Sequence, residues 1–325
     1  MKTTLKAIGL ASVLALGTSV AWAEVTLRLA HAAPESDLQQ VMSLYIAEQV
    51  EERTAGEVKI NIFPQGQLGN DAQMIDGARS GVIDFVMVGL NNFGGLMPET
   101  GALELPYLFP DRETAYKVLD GEVGQGILDD MATHGLKGLG HPENGYRNIT
   151  NNRGPIREPS DLDGLQIRVN NSRALGDMFA LLGANPQQLP IAELYTALET
   201  GVVNAQDHPI GVTLSFKYDE VQDYLSLTQH AYASLVLAMN MNSYNNLTAE
   251  QQTILAEVVD EAIAMQRQMS IDMEGEMIAE LEARGMQVNR DVNSAAFQEA
   301  VAPVWTTFIE QNGDGLINAI LAASE

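Results

Sequence analysis

The sequence predicts an α/β chain folded as two domains. Segments that alternate apolar and polar residues, as half-buried strands do, are interleaved with segments whose apolar residues recur at helical spacing. That pattern occurs twice, over Val25 to Val88 and again over Leu165 to Leu198. At 325 residues the chain also exceeds what one hydrophobic core usually serves.

The elements follow in order. Val25-Thr-Leu-Arg-Leu29 alternates as a strand, and Leu38, Val41, Met42, Tyr45 and Val50 mark a helix after it. Val58, Ile60 and Ile62 alternate again, a short helix is expected around Met74 to Ala78, and the apolar run Val82 to Val88 suits a buried parallel strand. Pro98, Pro106 and Pro110 punctuate an irregular stretch before helical spacing returns from Arg112 to His134. The second series places a strand at Leu165 to Val169 and helices at Ala174 to Leu182 and Ile191 to Leu198. Late in the chain, Thr248-Ala-Glu-Gln251 has the form of a capping box, and no Pro or Gly intervenes until Gly275, with Gly285 placed to end the helix. Such a helix would run about 54 Å at 1.5 Å per residue, long enough to lie across both halves. Gly275 marks where it would bend or divide in two.

Composition narrows the function. There are 18 Lys and Arg against 43 Asp and Glu, a formal charge of -25, which would repel polyanions and excludes nucleic acid as a partner. A salt-rich habitat or attraction of a cationic substrate would each account for that acidity. The absence of cysteine excludes disulfides, thiolate metal sites and cysteine nucleophiles. Residues 1 to 23 join two lysines, an apolar run and Ala21-Trp22-Ala23, the form of a cleaved secretory signal, so a soluble periplasmic protein is expected.

Catalytic patterns are missing: no G-x-S-x-G elbow, no P-loop, no G-x-G-x-x-G after a strand and no H-E-x-x-H among the five histidines. No metal or cofactor is expected, and no enzyme activity. One anomaly stands out in so acidic a chain. Arg147, Arg153, Arg157, Arg168 and Arg173 lie close together against only Glu158, Asp161 and Asp163. In Leu165-Gln-Ile-Arg-Val169 the apolar residues take one face and leave Arg168 on the other, where its rigid fork would suit a carboxylate or a surface salt bridge.

A set of longer motifs then resembles one family. These are Leu29-Ala-His31, Phe63-Pro-Gln-Gly-Gln-Leu-Gly69, Leu105-Pro-Tyr-Leu-Phe109, Gly145-Tyr-Arg-Asn-Ile-Thr-Asn151, Gly164-Leu-Gln-Ile-Arg-Val169, Leu182-Gly-Ala-Asn-Pro186, Glu193 to Gly201 and Asn204-Ala-Gln-Asp-His-Pro209. They resemble the TRAP-transporter solute receptors of the DctP type over nearly the whole chain after residue 23. The resemblance implies a two-domain periplasmic binding protein fold, with a ligand cleft between the domains and a long helix spanning both. It places residues 24–145 with 234–273 in the first domain and 146–233 with 274–325 in the second. It implies a monomeric receptor that binds a small organic anion, a C4-dicarboxylate or a sugar acid, and passes it to membrane subunits. Arg168 becomes the carboxylate anchor, Arg147 and Asn171 further contacts, Asp71 a polar contact from the first domain, and His31 a residue at the cleft edge. Two departures bear on solute choice. His208 stands where relatives carry an asparagine, and Ile191 where they often carry an aromatic that covers the ligand, a ring Tyr232 would supply from the returning strand. A secreted enzyme acting on a sugar acid or peptide, and a receptor for a zwitterionic compatible solute, are the rival readings.

Overall fold

The computed structural model describes residues 24–324, so the expected signal segment lies outside the described residues. Ten strands form one sheet: β1 (Val25–His31), β2 (Val58–Phe63), β3 (Phe85–Gly89), β4 (Leu136–Gly140), β5 (Glu143–Asn151), β6 (Gln166–Val169), β7 (Asn185–Gln188), β8 (Ala205–His208), β9 (Tyr224–Asn240) and β10 (Gln287–Asn289). Their order is β2-β1-β3-β9-β5-β8-β6-β7, with β4 and β10 also paired to β9. Each end of that path is a small parallel unit, β2-β1-β3 in one lobe and β8-β6-β7 in the other. Such units need helical crossovers, which is why strand and helix alternate along the chain.

β9 joins the lobes. Its 17 residues exceed an ordinary strand: the late part, Leu235 to Met239, pairs antiparallel with β3, and the early part, Tyr224 to Ser226, pairs with β5 and β10. The second bridge is the helix Ala249–Ala283, 35 residues without a break at Gly275. Its capping box is formed as the sequence predicts, with Thr248 Oγ1 accepting from the Gln251 amide and Gln251 Oε1 from the Thr248 amide. Leu255, Val258, Val259 and Ala262 pack with Met42, Ile46 and Leu237 in the first lobe, while Leu281 packs with Ile210, Leu225 and Met286 in the second.

Two expectations are corrected. The apolar run from Val82 becomes a strand only at Phe85, because the left-handed Gly81 turns the chain and leaves Val82 exposed. The stretch from Arg112 to His134 is two helices, Arg112–Asp120 and Glu122–Asp130, divided at the extended Gly121. The final helix, Gly315–Ser324, packs against those two.

One glycine in β5 lies two residues before Arg147. Gly145 in β5 has φ +115°, a conformation that side chains disfavour, and it lies where the pairing of β5 with β9 shifts register. An added Cβ would come within 3.3 Å of Pro209. Gly145→Ala is predicted to lose about 1–3 kcal/mol of stability. Gly154→Ala, at a position with nothing within 4 Å and no positive φ, should be close to neutral. Urea unfolding of both variants checks this, and equal midpoints would count against a conformational role for Gly145.

Candidate functional site

The strand β6 places Arg168. Alternation sends Ile167 into the core and Arg168 to the opposite face, as the sequence predicts, yet that face is covered and Arg168 is only 3% exposed. Its guanidinium has neutral partners. Nε donates to the Leu189 carbonyl at 2.9 Å and Nη1 to His208 Nε2 at 3.1 Å. Accepting at Nε2 fixes the tautomer of His208, whose Nδ1–H then donates to Gln206 Oε1 at 2.5 Å. Gln206 donates in turn to Thr150 Oγ1 and Thr150 to Gln222, so the imidazole is held by a buried relay. Burial, helped by Arg168 and Arg147, pushes the His208 pKa well below its usual value and keeps the ring neutral.

Arg147 is different. Its Nε donates to Asp207 Oδ2 at 2.6 Å, and Nη2 reaches Asp207 Oδ1 at 3.1 Å and its carbonyl at 2.5 Å. His230 Nε2 lies 3.2 Å from the same carboxylate. Burial works against the charge on Asp207, but Arg147 and His230 outweigh it and hold the carboxyl well below the usual range. Two buried arginines therefore meet at one place, one neutralised by a protein carboxylate and the other not.

Both line a cavity of about 60 Å³ at the meeting of the lobes. The second lobe contributes Arg147, Arg168, Asn170, Ile191, His208 and Phe216. The first contributes Asp71, Asn91 and Asn92, among others. Asp71 opens the helix Asp71–Ser80 behind a capping box of Asn70 and Gln73, and Asn92 Nδ2 donates to its Oδ2 at 3.4 Å. Burial raises the Asp71 pKa, while Arg168 pulls it the other way. A larger groove of about 460 Å³ runs along the long helix, but its arginines are already matched: Arg112 with Glu143 and Glu274, and Arg284 with Asp219 and Glu280. The smaller cavity holds the buried arginine that no carboxylate pairs with.

Of the sequence-predicted site residues, the structure brings together Arg168, Arg147, His208, Asp71 and Ile191. It does not bring in three others. Asn171 is exposed and accepts a hydrogen bond from Gln188, and Asn170 lines the cavity instead. Strand alternation explains that, since residues two apart share a face and Asn170 follows Arg168 by two. Tyr232 is packed edge-on among Phe109, Tyr116 and Tyr146, with its hydroxyl toward Glu143, so it belongs to the core and Phe216 is the aromatic at the cavity. His31 is fully buried and paired with Gln40 Oε1 at 2.8 Å, behind the cavity wall. The other arginines of the basic cluster also stay away: Arg153 binds backbone carbonyls of Asp161 and Asp163, Arg157 faces Asp291 and Arg173 faces Asp177. Asn91 and Asn92 carried no sequence signal beyond their position after a predicted strand.

With this geometry in hand, comparison with known proteins is specific. The family model described as "Bacterial extracellular solute-binding protein, family 7" (DctP) matches residues 29–312. The 2,3-diketo-L-gulonate-binding periplasmic protein YiaO of Escherichia coli K12 is 39% identical over 301 residues, 93% of this chain and 92% of its own. A TRAP periplasmic solute-binding protein of Polaromonas sp. JS666, bound to D-erythronate, superposes with a TM-score of 0.89 at 34% identity, covering 93% of this chain and 98% of that one. Another, from Sulfurospirillum deleyianum with bound succinate, has a TM-score of 0.88 at 28% identity, covering 93% and 99%. The chain belongs to the DctP family of solute-binding proteins, the receptors of TRAP transporters.

Proposed function

We propose that the protein is a periplasmic solute receptor that binds a small organic anion through Arg168 and delivers it to the membrane subunits of a TRAP transporter. The supporting observation is the state of Arg168, a cation buried in the cavity between the lobes whose only hydrogen-bond partners among the described residues are a carbonyl and a neutral imidazole. A ligand carboxylate would supply the missing counter-charge, and the planar guanidinium can meet it with its unused N–H groups. No chemistry is performed on the solute; it is bound and released.

Receptor action requires that the lobes part and close. Asp37 and Ser215 form a contact across them: Asp37 caps the first-lobe helix Leu38–Arg53 through Oδ1, and its Oδ2 accepts from Ser215 Oγ, at the end of the second-lobe helix Ile210–Ser215, at 2.7 Å. This bond exists only while the lobes are together. It therefore favours the closed form to which ligand binds most tightly.

Two predictions follow from that reading. Arg168→Lys keeps the charge and loses the fork, so affinity for the solute should fall about ten- to hundredfold, and Arg168→Ala should lose more by leaving the carboxylate uncompensated. Calorimetric titration against an organic-acid library, with melting curves to confirm folding, measures both. A folded Arg168→Ala that binds as tightly as wild type would remove Arg168 as the anchor. Ser215→Ala spares the helix cap but removes the bond across the lobes, so affinity should fall by about tenfold with little change in melting temperature. Solution scattering should show saturating solute reducing the radius of gyration of wild type, and Ser215→Ala needing more solute to reach it. A radius that ignores bound solute contradicts closure.

A further inference from the structure

Arg168 accounts for one end of the solute and leaves the other end open. Relatives divide on it: the Polaromonas receptor holds D-erythronate, a hydroxylated monocarboxylate, and the Sulfurospirillum receptor holds succinate, a dicarboxylate. The first-lobe wall of this cavity differs in character from the second-lobe wall. Among the described residues Asp71 is the one carboxylate that lines the cavity, and no lysine or arginine of the first lobe lines it. Asp71 is engaged on one oxygen by Asn92, whose Nδ2 also donates to the Gly89 carbonyl at 3.2 Å, so acceptor positions remain free on the carboxylate. The neighbouring Asn91, in the turn Leu90–Phe93 that follows β3, has its side-chain nitrogen buried with no hydrogen-bond partner. An unsatisfied buried donor is costly, by about 1–3 kcal/mol, unless something in the cavity accepts from it.

Building on the receptor reading above, we propose that Asp71 and Asn91 form a hydroxyl-recognising wall that selects hydroxylated monocarboxylates over dicarboxylates and zwitterions. Three terminal groups can be set against an acceptor and a donor side by side. A second carboxylate accepts from Asn91 but faces the like charge of Asp71 with no first-lobe cation lining the cavity beside it. An ammonium donates to Asp71 but sets its own N–H groups against the Asn91 donor. A hydroxyl both donates and accepts, and satisfies the two residues at once. The wall thus matches the group that carries no charge.

Four probes share a four-carbon chain and one carboxylate, and differ beyond it: 4-hydroxybutyrate, D-erythronate, succinate and 4-aminobutyrate. Calorimetric titration of the receptor should find 4-hydroxybutyrate and D-erythronate binding at least tenfold more tightly than succinate and 4-aminobutyrate. Asp71→Asn removes the charge and keeps the size, so it should shift the ratio of 4-hydroxybutyrate to succinate affinity toward succinate by tenfold or more. A misfolding defect would weaken all probes together and would not shift the ratio. Asn91→Ala should weaken the two hydroxy acids and spare 4-aminobutyrate. Succinate or 4-aminobutyrate binding wild type as tightly as the hydroxy acids, or a ratio unmoved by Asp71→Asn, would overturn the proposal. If Arg168→Ala still abolishes binding of every probe, the receptor reading survives that failure. If Arg168→Ala is without effect, that reading falls while the ratios still report on the wall. Should no probe bind wild type, both are overturned.

Discussion

The unpaired charge of Arg168 is the constraint on which the site depends. Taking a guanidinium out of water costs several kcal/mol even after relaxation, and a carbonyl and an imidazole return only part of that. Arg147, a short distance away in the same wall, shows what full compensation looks like: two hydrogen bonds to Asp207 Oδ atoms and a third to its carbonyl. Burial lowers the pKa of Arg168; it acts in the same direction at Arg147, but there the Asp207 charge prevails and the pKa is raised. The fold maintains one of the two cations in an unsatisfied state. Among the described residues no carboxylate forms an ion pair with Arg168, although Asp71 and Asp207 act on it from a distance.

Those surroundings are rigid for an identifiable reason. Every residue of the relay from His208 through Gln206 and Thr150 to Gln222 is buried, and each hydrogen bond in it sets the orientation of the next. The neutral imidazole that results can accept from Arg168, which an imidazolium could not. His208 therefore helps to aim the Arg168 side chain and adds no charge to the cavity. β9 and the long helix, each continuous, then tie this second-lobe wall to the first lobe.

The sequence made some of this legible and hid the rest on physical grounds. Period-two alternation placed Arg168 on the face opposite Ile167, and the Thr248 to Gln251 capping box located the long helix, because both signals are local. β9 was hidden because the residues from Ala231 to Asn240 are all buried, so both faces are covered and no alternation remains to be read. Asn170 lay within reach of the same alternation that found Arg168, whereas Asn171 owes its expected place to adjacency alone. The partnership of Arg147 with Asp207 joins residues 60 apart in sequence and depends on the pairing of β5 with β8, which a single chain does not announce. Tyr232 likewise looked available for a ligand until the aromatic cluster around it was assembled.

The charge balance of the cavity closes the connection between fold and solute. The chain as a whole is strongly acidic, so an anion approaches against the average field, and screening by salt over about 8–10 Å leaves the decision to the groups at the site itself. At that range the Arg147 and Asp207 charges cancel, and His208 contributes none. What remains is Arg168 on one wall and Asp71 on the other. Had Arg147 also been free, two like charges in about 60 Å³ would have called for a dianion. With Asp207 in place the cavity offers one cation free to meet one carboxylate, and under the proposed reading the opposing wall, polar and bearing a carboxylate of its own, suits the part of a solute that carries no further negative charge.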